Sequence, residues 1–159
     1  MSKQPLKEFA SQVAKGVSKV FAKHGSVLPF YHAITATGQT EVFPAPGRNK
    51  NESVALTRAL LTMMGAVRVA SVSEAWMLES PDGQALDIDR IGREGVSVQP
   101  GRIEVLVIYA EDVQEGFLLA RVPISRKDGK AKLGELRFLS CDSSEGRMVG
   151  LLPKAGTRH

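Results

Sequence analysis

The residues best suited to chemistry in this sequence are a carboxylate and a histidine. Glu74 lies in an otherwise apolar segment beside Trp76, and His32 lies in another apolar segment nearer the N-terminus. Burial against an indole ring raises the pKa of a carboxyl group, as a general acid requires. Glu74 with His32 therefore suggests a small hydrolase-like enzyme. The alternative, which we favour, is a structural ion pair of Glu74 with an arginine across the sheet: Arg68, Arg121 or Arg137.

Other catalytic arrangements lack the residues that they need. His24 and His32 are eight positions apart, which matches no common metal-ligand spacing, so we predict no metal site. The single cysteine, Cys141, has no neighbouring base in the sequence and is interpreted as a buried structural thiol. Neither glycine-rich phosphate-binding pattern occurs, so no nucleotide or other cofactor is predicted.

A group of basic residues raises nucleic-acid binding as a further alternative. Arg126, Lys127, Lys130 and Lys132 surround an Asp-Gly turn within a predicted hairpin over residues 121–137. A two-stranded ribbon can enter a groove, and lysines at its tip can neutralise phosphates. The tip carries no aromatic residue to stack on bases, and charged tips also protect hairpins from aggregation. Nucleic-acid binding is therefore possible but is not the favoured function.

Hydrophobic periodicity predicts the elements that position these residues. Apolar residues at 3–4 spacing indicate helices over residues 5–23 and 49–64. Alternating residues and turn signals indicate a hairpin at 27–43, a long strand at 67–78 and a meander over 104–152. This order predicts an α+β fold with a single antiparallel sheet of about 5–7 strands and two main helices on one of its faces. Roadblock and profilin-like domains have a similar element order, so their topology is one expectation.

The chain is expected to form one domain over residues 1–159. Residues 1–4 and 154–159 are predicted to be loose tails. Residues 79–101, which are rich in Gly and Pro, are predicted to form a long loop with room for a short helix or strand. Gly16 interrupts the apolar stripe of the first helix and is expected to mark close packing on another element.

Composition bounds the location of the protein. Hydrophobic residues make up 43% of the chain and charged residues 24%, which is typical of a globular protein. No apolar run reaches the roughly 20 residues that a membrane span requires, and the N-terminus has no signal-peptide core. A single cysteine fits a reducing compartment. We therefore expect a cytoplasmic protein with no membrane partner, and we interpret the net charge of +4 as ordinary solubilising charge.

Three short stretches carry a resemblance to other proteins. They are Ser-Glu-Ala-Trp-Met at 73–77, Tyr-Ala-Glu-Asp at 109–112 and Gly-Arg-Met-Val-Gly-Leu-Leu-Pro at 146–153. These stretches resemble those of a small family of uncharacterised bacterial and phage proteins, and the similarity covers most of the chain from His24 onward. The resemblance implies a bacterial or phage origin, and no activity comes with it.

Protein binding is the leading functional prediction, because the sequence contains no catalytic frame. A sheet covered on only one face leaves an apolar face that needs a partner. Trp76, Tyr31 and Met77 are of types that are common in contact cores, and the 79–101 loop is a further candidate. We expect the protein to form a homo-oligomer or to bind a protein partner.

Overall fold

The structure is a computed structural model that describes residues 4–78, 88–95, 98–139 and 150–152. Helices and strands follow one another in the predicted order. Along the chain they are α1 (Leu6–His24), β1 (Phe30–Thr35), β2 (Thr40–Pro44), α2 (Lys50–Met63), β3 (Ala66–Leu78), α3 (Ile88–Glu94), β4 (Arg102–Asp112), β5 (Gly116–Lys127), β6 (Lys130–Leu133) and β7 (Arg137–Leu139).

The described strands form one antiparallel sheet, curled into a half-barrel. Six of them run in the order β2-β1-β3-β4-β5-β6, and β7 pairs with β5. Every described ladder is antiparallel. Short turns, which favour antiparallel pairing, join most successive strands. The predicted α+β fold with a single antiparallel sheet is confirmed.

The two long helices lie on opposite faces of the sheet, so the expectation that both cover one face is wrong. Ala70 and Val72 of β3 pack with α1 in one core cluster. Val69 of the same strand packs with Leu61 of α2 in a second cluster. Successive side chains of a strand point to opposite faces, so the two clusters lie on the two sides of the sheet. The reason is that β3 carries apolar residues on both faces, and each face needs cover.

Helix α1 packs on one face of the half-barrel, where it approaches β4, β5 and β6. It ends at Gly25, whose left-handed φ of 73° suits glycine and whose N–H donates to the Phe21 carbonyl at 2.7 Å. The buried stripe consists of Leu6, Phe9, Ala10, Val13, Ala14, Val17 and Phe21.

Some predicted elements differ in the structure or lie beyond what it describes. Within the predicted meander, the irregular residues 134–136 separate β6 from β7. Part of the predicted 79–101 loop forms α3, while residues 79–87 and 96–97 lie outside the described residues. Cys141 and the rest of residues 140–149 of the meander, and the tail at 154–159, also lie outside them.

A buried ion cluster attaches the start of α1 to the sheet. Arg68 of β3 is 2% exposed and donates from Nε to Asp112 Oδ2 at 2.8 Å. Its other nitrogens donate to the Gln4 carbonyl at 2.7 Å and to the Glu115 carboxylate. Glu115 in turn accepts the backbone N–H of Leu6, the first residue of α1, at 3.2 Å. The cluster therefore ties the helix N-terminus to β3 and to the β4–β5 turn.

Removing one carboxylate from this cluster should destabilise the fold. Asp112→Ala leaves the buried Arg68 guanidinium with one carboxylate instead of two, and an undercompensated buried charge costs about 3 kcal/mol or more. Urea unfolding followed by circular dichroism measures the loss. Arg48→Ala, which removes an exposed pair with Glu52, is the control and should cost less than about 1 kcal/mol. Equal losses in the two variants would contradict the role of the cluster.

Candidate functional site

An apolar groove of about 890 Å³ lies between α1 and the β1–β2 hairpin. One wall is the side of α1 that carries Phe9, Val13 and Val17, and the floor is formed by alternate residues of β1 and β2. The groove exists because α1 packs mainly over β4, β5 and β6, so the groove-facing residues of the hairpin are only partly covered on this face of the sheet.

Three exposed apolar side chains from three different elements converge on this groove. Val20 of α1 is 49% exposed, Leu28 in the segment before β1 is 84% exposed, and Val42 of β2 is 60% exposed. Single exposed apolar residues are common on protein surfaces, whereas contiguous ones in a concave surface mark a binding site. The sequence prediction missed these three residues, because nothing in the local pattern shows that they remain uncovered.

His32 lies in the floor of the groove. Its ring meets the edge of the Phe9 ring, with the ring centres 5.5 Å apart. Burial lowers the pKa of His32 below its usual value of 6.5, because the apolar surroundings disfavour the charged form. The ring is therefore neutral near pH 7, as an apolar site requires.

The structure does not bring Glu74 and His32 together. Ala70 is the β3 residue opposite His32, and Glu74 is four residues further along that strand, roughly 13 Å away. Glu74 accepts from Arg126 at 3.2 Å, and the groove lining does not include it. Arg126 is thus the ion-pair partner of Glu74, rather than the arginines predicted from the sequence.

Arg126 joins this ion pair to the C-terminal end of α1. Its guanidinium also donates to Glu104 at 2.9 Å and to the backbone carbonyl of Gly25 at 2.9 Å. The hydrogen bonds that Arg126 donates to the Glu104 carboxylate raise the pKa of the guanidinium further. Glu74 therefore takes part in attaching the helix end.

The predicted contact residues are spread over both faces of the sheet. Tyr31 is 3% exposed and stacks on Phe43 with ring centres 5.4 Å apart, so it belongs to the core on the α2 side. Trp76 is 45% exposed, with the Arg102 guanidinium 5.2 Å from its ring centre. Met77 is partly exposed and, as the next residue, points to the opposite face from Trp76. The three side chains do not form one surface.

The predicted basic hairpin is formed by β5 and β6. Lys127, Lys130 and Lys132 are exposed there, whereas Arg126 is engaged by Glu74 and Glu104. Three lysines thus remain as candidate phosphate contacts, and nucleic-acid binding through them stays a prediction.

Comparisons with known proteins add little to this geometry. No family model, no curated protein and no solved structure matches the chain. In the part of the chain that the structure describes, His, Cys, Asp and Glu side chains form no group of three or more that could hold a metal ion. Within the same residues, no helix has both the length and the apolar character needed to span a membrane. The case for function therefore depends on the groove.

The lowered pKa of His32 predicts a loss of stability on acidification. In the unfolded chain His32 titrates near about 6.5, and in the folded protein it titrates lower, so the unfolded state takes up the proton first as the pH falls below that value. The free energy of unfolding should drop as the pH falls through about 6.5 and below. His32→Gln should show a smaller drop in urea unfolding, whereas His24→Gln, at an exposed position, should behave as the wild type. An unchanged drop in His32→Gln would refute the assignment.

Proposed function

We propose that the protein is a non-enzymatic protein-binding module whose partner docks in the groove between α1 and the β1–β2 hairpin. The observation that carries the proposal is the convergence of Val20, Leu28 and Val42 on one concave apolar surface. A surface of this kind gains free energy when a partner removes it from water.

The chemistry of the groove supports binding rather than catalysis. Its described lining contains no carboxylate, and its titratable side chains are two histidines, His24 and His32. A general acid–base site needs a second polar group to orient the catalytic one, and the nearest predicted candidate, Glu74, is held by Arg126 outside the groove. A mostly apolar groove suits a protein surface better than a polar substrate.

Two further proposals concern origin and location. The resemblance of residues 73–77, 109–112 and 146–153 to bacterial and phage proteins supports an origin in one of these sources. The composition and the single cysteine support a cytoplasmic location.

A lysine in the groove should abolish partner binding. Leu28→Lys places a charge in the apolar contact and should lower retention of the partner at least about tenfold. Met63→Lys is a matched control, because Met63 is 83% exposed against 84% for Leu28 and does not line the groove. Neither variant should unfold, since neither side chain is buried.

The experiment immobilises the wild type and both variants and exposes them to an extract of the cells that encode the protein. Quantitative mass spectrometry should find a protein retained by the wild type and Met63→Lys but not by Leu28→Lys. Light scattering of the purified wild type shows whether that protein is a second copy. The same set of retained proteins on all three samples would sink the proposal.

A further inference from the structure

We infer that the occupant of the groove is one amphipathic α-helix of a partner protein, which lies alongside α1 and carries acidic residues toward Lys19 and Lys23. This inference rests on the proposed function and adds to it the shape and the charge of the partner. Four features of the described residues lead to it: the length of the groove, the direction of the β2 edge, the position of Gly16 and the distribution of charge.

The length of the groove matches a helix. A helix packed against α1 on the side of the hairpin would cover the groove-facing residues of β1 and β2, which are partly or fully exposed. The groove follows α1 from Gln4 to Leu28, and the 19 residues of α1 span about 28 Å, enough for about five helical turns.

A strand added to the sheet edge would not fill this groove. Backbone hydrogen bonds from Thr35 to Gln39 and from Ala45 to Pro29 set the alternation of the hairpin, which directs the backbone groups of Val42 away from β1. A strand that paired with Val42 would extend the sheet beyond β2, further from α1. The floor over β1 and the wall of α1 would remain uncovered, whereas a helix covers both.

Gly16 indicates where the helix approaches most closely. It lies in the interior of α1, is exposed and lines the groove. An added Cβ there would meet no atom within 4 Å among the described residues, so the expected close packing on another element does not occur within the described part of the chain. Glycine costs about 1 kcal/mol relative to alanine in a helix interior. A partner helix that crosses α1 at this position could approach its backbone closely, because glycine has no side chain there.

The rim of the groove is positively charged. With 3.6 residues per turn, Lys19 and Lys23 project within about 60° of Gly16 around the axis of α1, and both are exposed. The described lining contains no acidic residue, and Glu41 points to the opposite face because its neighbour Val42 faces the groove. This charge favours an acidic partner. It disfavours a second copy of α1, whose lysines would lie against these.

Synthetic peptides test the shape and the charge of the occupant directly. Three peptides of about 18 residues, with blocked ends, share one apolar leucine stripe and carry Glu, Gln or Lys at the polar positions. Fluorescence anisotropy with labelled peptides measures binding to the full chain. The Glu peptide should bind at least about tenfold more tightly than the Gln peptide, the Lys peptide should bind most weakly, and added salt should reduce the difference.

Variants of the chain supply the matched controls. Lys19→Glu with Lys23→Glu should reverse the preference toward the Lys peptide. Lys130→Glu with Lys132→Glu should leave it unchanged, because these β6 side chains alternate with Ala131 and Leu133, which face α1, and so point to the other face of the sheet. Gly16→Ala should raise the stability of the free protein and yet weaken binding of the Glu peptide several-fold. Gly92→Ala in α3, where an added Cβ also meets no atom within 4 Å among the described residues, should leave binding unchanged.

The outcomes separate this inference from the proposed function. Equal binding of the three peptides would overturn the acidic partner. Failure of all three peptides, with a cellular protein still lost only from Leu28→Lys, would overturn the helix and leave the binding module intact. If Leu28→Lys instead abolishes binding to vesicles of phosphatidylglycerol and phosphatidylcholine that the wild type binds, the occupant is a membrane and the inference fails. If no peptide binds and Leu28→Lys retains the same cellular proteins as the wild type, the proposed function is wrong as well.

Discussion

The fold depends on where α1 is held, and buried charge holds it. Arg68 faces the α1 side of the sheet directly opposite Asp112, the last residue of β4. A buried guanidinium is stable only when it is paired and hydrogen-bonded, so Asp112, Glu115 and the Gln4 carbonyl must stay in place around it. Since Gln4 lies two residues before Leu6, the first residue of α1, this requirement fixes the start of the helix.

The other end of α1 is attached by a second, more exposed cluster. Arg126 of β5 reaches the carbonyl of Gly25 while it pairs with Glu74 and Glu104. With both ends held, the helix lies over β4 and β5 and cannot shift over β1. The open groove is therefore a consequence of how the helix is attached, and the uncovered Val42 follows from it.

A neighbouring carboxylate stabilises the opposite face of the sheet. Glu111, the residue before Asp112, points to the α2 side and accepts the backbone N–H groups of Leu151 and Leu152 at 3.0 Å and 2.7 Å. It also accepts the hydroxyl of Tyr109, and burial together with this hydrogen bond raises the pKa of Tyr109 far above its usual range. Two neighbouring carboxylates at the end of β4 thus form hydrogen bonds on the two faces of the sheet.

Local patterns in the sequence predicted the elements well but not how they pack. The helix predicted over residues 5–23 follows from periodicity and is confirmed as α1, although Val20, which shares the apolar spacing, is 49% exposed. The apolar residues on both faces of β3 showed that each face needed cover, yet they carried no information about which helix would supply it. The pairing of Glu74 with Arg126 could not be predicted, because it depends on the register between strands. The sequence shows that Gly16 interrupts the apolar stripe of α1. It does not show what Gly16 faces, because that depends on the placement of α1, which the ion clusters at its two ends determine.

The central claim is that a partner helix lies over β1, between α1 and β2. Paramagnetic relaxation measures this most directly: a nitroxide is placed at the middle of the Glu peptide, and amide signals of the isotope-labelled chain are recorded in the complex. The account predicts strong broadening at Gly16, His32 and Val42, with Met63 and Trp76 unaffected. Broadening centred on Trp76 or Met63, with the groove amides unchanged, would contradict it.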